Sequence, residues 1–309
     1  MARRITIAVL TYKRQDELIR TLESVFAQEY PEVEVIVINN HPDDTGALLK
    51  SVFPAARYIE MDSNRGCEAR NVALRAATGD IVVTLDNDVC LKDRCAAGMV
   101  AEFFDLKPEA ACLNFRVISP GGGLSLRDWC HPRDHDRWSC QVFQTDHISE
   151  GACAFRKEAF LSAGGYYAPF FIGHEGPDLC ARLISDGWEA WYSPVIEVAH
   201  NASMAARPDW RAYYFNTRNN VWLAYRHYPA LYALKYTVFY TAMMFVYSIR
   251  AGHLKAFLRG LSHAVAGIGS MERRPLGSEC IVRLADIRSH KPSLASKIRK
   301  HLFSNQAYR

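Results

Sequence analysis

The feature that most constrains the fold is a regular alternation of two hydrophobic periods between residue 5 and about residue 117. "ITIAVLT" (5–11), "VEVIVINN" (33–40) and "DIVVTL" (80–85) are dense in apolar and β-branched residues, as strands covered on both faces require. "ARYIEM" (56–61) is a weaker strand. Between them, "QDELIRTLESVFAQ" puts Leu18, Leu22, Val25 and Phe26 on one helical face, and "CEARNVALRAATG" reads as a helix stopped by Gly79. This order predicts an α/β fold with a Rossmann-like, mostly parallel sheet flanked by helices. Ligands of such sheets bind beyond the carboxyl ends of the strands. Three polar clusters fall at those ends: Thr11–Tyr12–Lys13–Arg14, Asn39–Asn40 and Asp86–Asn87–Asp88.

The third cluster closes the run "IVVTLDNDV" (81–89). Asp86 and Asp88 are two residues apart and share a face if the strand persists. Two close anions repel unless a cation or a hydrogen-bonded ligand compensates them. The competing reading is a turn, in which Asp and Asn cap the segment that follows from Lys92.

The chain of 309 residues, 49% apolar and 23% charged, has the composition of a globular protein with one large core or two smaller ones. Its nine cysteines form no CxxC pair, and the N-terminal apolar run is a strand without signal-peptide features, so the thiols are expected to be reduced and the compartment cytoplasmic. Charge is uneven. From Arg250 onward there are 12 Lys and Arg against 3 Asp and Glu, leaving 25 against 30 upstream. A basic tail on an acidic body suits an anionic membrane, nucleic acid or solvent.

From about 118 to 150 periodicity lapses. "SPGGGLSLRDWCHPRDHDRWSC" reads as a long loop covering a site, and its Cys130, His131, His135 and Cys140 are either zinc ligands or incidental. Order returns with "GACAFRKEAFLSAGGY" and "HEGPDLCARLISDGW". Pro177 suits the first position of a helix, Asp178 its first turn and Gly187 its stop, which leaves Glu175 just outside the N-terminus, where the helix dipole favours its ionised form. "WYSPVIEVAH" is a strand ending in His200. For Glu175 and Asp178 a purely stabilising role at the helix start also stands, as does a structural one for His200.

Beyond residue 208 the chain is aromatic-rich and helical in pattern. Residues 231–249 hold 15 apolar residues of 19, interrupted by Lys235. Helices lying in a membrane interface suit the Tyr and basic residues, a helical subdomain packed on the core is the plain alternative, and a membrane span suits them least. The expected division is 1–207 as a catalytic unit (about 1–117 nucleotide-binding, 118–207 acceptor and catalytic), 208–270 as a helical, membrane-associating region and 271–309 as a basic tail.

Taken together, "TYKR", "VINN", "NRGCEARNVALRAATGD" leading into "LDND", "GACAFRKEAFLSAGGY" and "HEGPDLCARLISDGW…YSPVIEVAH" resemble glycosyltransferase family 2, of the GT-A fold and the bacterial polysaccharide or rhamnosyltransferase type, over about residues 5 to 225. The resemblance implies that Thr11, Tyr12 and Arg14 line a nucleotide pocket, with Arg14 near the diphosphate. Asn39 stands where the family often has an Asp that contacts the base. Arg70 approaches the nucleotide-sugar, Asp86 and Asn87 hold its ribose or sugar side, and Asp88 coordinates a divalent cation, Mg²⁺ or Mn²⁺, with Asp86 and His200 in its shell. Glu175 matches the general base. Many relatives read Glu-Asp where this chain has Glu175–Gly176, so Asp178 is the alternative base. The resemblance further implies a nucleotide-diphosphate sugar as donor and a glycan or lipid-linked acceptor, while the basic tail and the aromatic-rich helices add the expectation of peripheral contact at the inner face of the cell membrane.

The residue types suit that chemistry. A carboxylate-held dication neutralises the leaving diphosphate, Arg adds charge-assisted bonds, and a separate carboxylate deprotonates the acceptor hydroxyl. Direct in-line displacement inverts the anomeric centre. Two other classes remain: a nucleotidyltransferase, although "TYKRQDE" lacks the expected glycine, and a non-catalytic nucleotide-sugar or membrane-binding protein. Nucleic acid is not expected as a partner, for want of a binding motif.

Overall fold

The structure is a computed structural model, and it describes residues 3–119, 121, 123, 128–201 and 208–292. The nucleotide-side half runs β1 (Ile5–Thr11), α1 (Gln15–Phe26), β2 (Val33–Asn39), α2 (Thr45–Val52), β3 (Arg57–Glu60), α3 (Glu68–Ala76) and β4 (Ile81–Asp86). It continues through β5 (Val89–Leu91), α4 (Ala96–Leu106), β6 (Ala110–Ile118), α5 (His135–Trp138), β7 (Phe143–Gln144), β8 (Ala152–Arg156) and α6 (Lys157–Ser162). Then come α7 (Glu175–Ser185), β9 (Glu189–His200), α8 (Trp210–His227), α9 (Ala230–Arg250), α10 (Leu254–Gly267) and α11 (Ser278–Ile287).

All nine described strands join one sheet in the order β3-β2-β1-β4-β8-β6-β9-β5, with β7 paired to β9. β1 to β4 follow the βα alternation and pair in parallel, as the sequence predicts. β8, inserted between β4 and β6, runs antiparallel to both, and the short β5 and β7 run against β9. These three strands are reached without a crossover helix, so nothing forces them into the common direction.

Alternation along each strand divides the core. Ile5, Ile7 and Val9 of β1 pack with Leu18, Leu22 and Val25 of α1 and Phe104 of α4. On the opposite face Ala8 packs with Ile36, Ile38, Val82 and Phe155 beneath α3, α6 and α7. Each large apolar side chain so buried contributes roughly 1.5–3 kcal/mol. Phe26 is the exception to the predicted face: it stacks on Phe53 and is half-exposed. Gly79 does not stop α3, which ends at Ala76. It is where the chain crosses β1, and a Cβ there would lie 2.7 Å from the Thr6 nitrogen.

The expected boundaries at 207 and 270 do not divide the packing. Ala224 and Tyr228, from the end of α8, belong to the same core as α7, and so do Cys280, Leu284 and Ile287 of α11. Residues 278–287, expected within the basic tail, are therefore an amphipathic helix docked on α7. The basic stretch from residue 293 onward lies outside the described residues. Among the described residues no helix is long and apolar enough to cross a membrane.

Candidate active site

Register places the strand ends level. Thr11 pairs with Asn39 and Leu10 with Asp86, so the three polar clusters meet on one edge of the sheet. The Asn87 amide stitches two of them, donating to Thr11 Oγ1 at 3.1 Å and to the Arg14 carbonyl at 3.2 Å. Above this edge opens a cavity of about 470 Å³, lined by Thr11, Tyr12, Arg14, Arg70, Asp86 and Asn87 together with Glu150, Glu175 and the start of α8.

Asn39 is not part of the lining. Its amide donates to Asp43 at 2.8 Å and to the Tyr58 hydroxyl at 3.1 Å, on the side away from the cavity. The period-two alternation presents Asn40 instead. Its Oδ1 accepts the Arg65 N–H at 2.9 Å, and its amide donates to Asn64 at 3.1 Å, fixing the loop that leads to Arg70.

The two acids after β4 have different partners. Asp86 accepts from Arg70 at the cavity floor. Asp88 is fully buried behind Arg14, whose Nη1 donates to Oδ2 at 2.5 Å. The antiparallel β5–β9 pairing sets Val89 opposite His200, which brings the imidazole to Asp88. His200 Nε2 is buried without a hydrogen bond and lies 3.7 Å from Asp88 Oδ1. Its Nδ1 is held by Asp128 at 3.1 Å. Burial lowers the basicity of the imidazole, but Asp128 and Asp88 outweigh it and raise its pKa to about 9. The buried Nε2 of His200 and the Oδ1 of Asp88 face each other as a nitrogen and an oxygen donor, residue types that could hold a dication. Among the described residues no three His, Cys, Asp or Glu converge as a metal site, and the cavity lining includes neither Asp88 nor His200.

Glu175 opens α7 and lines the same cavity. It is 3% exposed, and its Oε2 has no hydrogen-bond partner. Burial, and then the negative charge of Glu150, push its pKa up to about 8. The expectation that the helix start favours the ionised form is therefore overturned: desolvation in a closed pocket exceeds the dipole, which is worth only ~0.3–1 kcal/mol. The turn before it is strained, with left-handed φ at Phe171 (65°) and His174 (72°). Asn219 of α8 holds that turn by donating to the carbonyls of Phe170, Ile172 and Gly173 at 3.0, 2.9 and 2.6 Å.

Asp178 is elsewhere. It is fully buried away from the cavity, where Arg182 and Arg226 donate to it at 2.7 Å and His227 Nε2 lies at 2.7 Å. Burial raises its pKa, but the His227 hydrogen bond and the two guanidinium charges outweigh it and hold the carboxyl far below the usual range. A carboxylate so committed joins α7 to α8 and has no access to a substrate. The zinc reading of the 118–150 loop does not survive either. His131 bonds Thr145 at 2.9 Å, His135 bonds Asp136 at 3.0 Å, and Cys130 and Cys140 contact different serines.

Asp128, Glu150 and Asn219, at or behind the cavity, have no place among the sequence candidates, and Asn40 appears there only as part of the Asn39–Asn40 cluster. Asn40 was within reach of a strict period-two argument. The others come from loops or helices whose approach only the tertiary packing sets.

Comparison with known proteins bears on the fold and the family. The succinoglycan biosynthesis protein ExoO of Rhizobium meliloti is 34% identical over 126 residues, 40% of this chain and 36% of that protein. The poly-β-1,6-N-acetyl-D-glucosamine synthase of Staphylococcus epidermidis is 29% identical over 103 residues, 32% of this chain and 25% of the synthase. The chain thus spans about a third or less of these curated relatives. Among solved structures, a mannosyltransferase from Pyrobaculum calidifontis in complex with GDP-Man and Mn²⁺ superposes over 100% of this chain and 85% of its own, with a TM-score of 0.59 at 19% identity, which establishes the GT-A-like fold. The model of the family described as Glycosyl transferase family 2 matches residues 6–162, half of the chain, and the protein belongs to that family.

Proposed function

We propose that the protein is a metal-dependent, inverting glycosyltransferase that moves a sugar from a nucleoside diphosphate to a hydroxyl of a glycan or lipid-linked acceptor in cell-surface polysaccharide synthesis. The observation that carries this reading is the cavity itself. Arg14, paired to Asp88, and Glu175, whose Oε2 has no hydrogen-bond partner, line the same cavity.

Thr11, Tyr12 and Asn40 receive the nucleoside, Arg14 and Arg70 bind the diphosphate and sugar side, and Asp86 orients the sugar. Asp88 and His200 would hold a divalent cation, Mg²⁺ or Mn²⁺, which supplies charge neutralisation for the leaving diphosphate. The ionised form of Glu175 accepts the proton of the acceptor hydroxyl, a role typically worth ~10²–10⁴ in rate. Phe171 and Phe215 stack at 5.4 Å beside the cavity mouth, with Arg211 over both rings, and give an acceptor sugar an apolar platform. A screen of nucleotide-sugars with Mn²⁺ for thermal stabilisation tests the donor assignment, because a ligand of the folded state raises stability with the logarithm of its concentration. Stabilisation by one nucleotide-sugar with metal supports it. None with any donor removes it.

The acceptor is brought by an anionic membrane. The outward face of α9 is its apolar face: Leu231, Leu234, Val238, Phe245, Val246 and Ile249 are 44–65% exposed. Between Asp209 and Glu272 the chain has seven Lys and Arg and no acid; of the seven, Arg218 and Arg226 are buried, and Lys235, Arg250, Lys255 and Arg259 are exposed. An apolar stripe flanked by cations suits a helix lying in an anionic interface at the inner face of the membrane.

A further inference from the structure

Glu150, from the loop before β8, lines the cavity together with Glu175. Its Oε1 accepts the Gly176 N–H at 2.8 Å, so the carboxylate is bound to the start of α7 one residue from Glu175. Position 176 has no room for a side chain. A Cβ there would lie 2.3 Å from Glu150 Oε1 and 2.5 Å from the Ile148 carbonyl. The glycine that reads in the sequence as a missing acid is the seat of an acid from another loop. That loop is fixed from its other side: the Thr84 hydroxyl donates to the Glu150 carbonyl at 2.8 Å, and Gly151 packs against the carboxylate of Asp86.

We propose that Glu150 is a positioning residue that holds a negative charge beside Glu175 and so makes Glu175 a stronger base toward the acceptor. The proposal rests on the reading of Glu175 as the base. In the step it serves, the acceptor O–H proton passes to Glu175 and the acceptor oxygen bonds the anomeric carbon. The bond from that carbon to the diphosphate oxygen breaks, and its electron pair leaves with the diphosphate. Several other charged or titratable groups stand around Glu175: Arg70 and Cys67 from α3 and its lead-in, Asp86 from β4, His174 from the preceding turn, and Asp209 and Arg211 at the start of α8. Arg70 opposes the effect of Glu150 but is paired to Asp86, which leaves Glu150 as the charge fixed on α7 itself.

Difference infrared spectroscopy of the full chain without ligand tests this directly. The protonated-carboxyl band absent from Glu175→Gln belongs to Glu175, and in the wild type it titrates near pH 8. Glu150→Gln keeps an oxygen for the Gly176 N–H and removes the charge. It moves the titration to lower pH by about one unit, the scale of coupling between neighbouring carboxylates. Glu150→Asp, which draws the charge back from α7, moves it the same way by less, and it decides the matter if the Gln variant does not fold. A Glu175 titration unmoved in the folded Glu150 variant overturns the proposal. Loss of the base reading shows separately, as undiminished turnover in Glu175→Gln.

Discussion

Asn219 Nδ2 lies 2.6 Å from the carbonyl oxygen of Gly173, two residues before Glu175. The same amide reaches the carbonyls of Phe170 and Ile172, and Arg218 donates to those of Pro169 and Phe170. A helix beyond the family-matched segment thus holds the strained turn that leads into Glu175. Backbone at unfavourable φ persists only where its surroundings over-determine it. Asn219→Ala frees the turn. We expect kcat to fall about 10²-fold, the scale of an ångström-sized misplacement, while donor affinity measured by calorimetry stays within about twofold, because the donor-side residues are untouched. An equal loss in kcat and affinity would mean that the whole cavity had collapsed.

Asp178 illustrates the opposite case, an acid at the same helix start with no role in chemistry. Asp178→Asn leaves the two guanidinium groups and His227 without their common anion. A cost of about 3–5 kcal/mol is expected in urea unfolding, with unchanged kcat per folded molecule. The pH dependence has a definite sign. The folded carboxyl is depressed below its unfolded value, so its contribution is fully present above the unfolded pKa, about 3.9, and is lost as pH falls toward the folded value. The wild type should lose stability below about pH 4 more steeply than the Asn variant.

Asp128 tests the cation site without touching its ligands. It holds His200 through Nδ1 and so fixes which nitrogen faces Asp88. Loss of such a partner commonly weakens metal binding by about 10–100-fold. Asp128→Asn should show that loss in a Mn²⁺ titration followed by paramagnetic resonance in the presence of nucleoside diphosphate. Mn²⁺ affinity equal to that of the wild type would place the cation elsewhere.

The exposed face of α9 makes a prediction about membranes. Leu234→Glu with Val238→Glu puts two charges into the apolar stripe and should abolish flotation with phosphatidylglycerol vesicles while leaving the melting temperature within a few degrees. The wild-type chain should float with these vesicles and less so with neutral phosphatidylcholine, and added salt should weaken the difference. Failure of the wild type to float with either would remove the membrane from the account.

Much of this arrangement was legible in the sequence because period is a local property. The β-branched runs and the Leu18–Leu22–Val25 face placed the first half of the sheet, and strand ends collected Thr11, Arg14 and Asp86 without any knowledge of contacts. The errors have a common cause in burial. Asp178 sits in a turn that looks like a helix start exposed to solvent, yet α8 covers it with Arg226 and His227. Glu175 was expected to be anionic because the sequence shows the helix N-terminus but not the low-dielectric pocket around it. Asn39 and Asn40 differ only by which way the strand's last residue turns. Glu150 has no local signature at all, since the space it occupies is recorded only in the absence of a side chain at Gly176.

The central claim is that one carboxylate serves as base in the same cavity as a separately held diphosphate. It is tested most directly by comparing the wild type and Glu175→Gln in Mn²⁺-dependent release of nucleoside diphosphate, with donor binding measured calorimetrically on the same preparations. The account predicts that the Gln variant binds the nucleotide-sugar as tightly as the wild type and turns it over about 10²–10⁴-fold more slowly. Turnover within a few-fold of the wild type would contradict it.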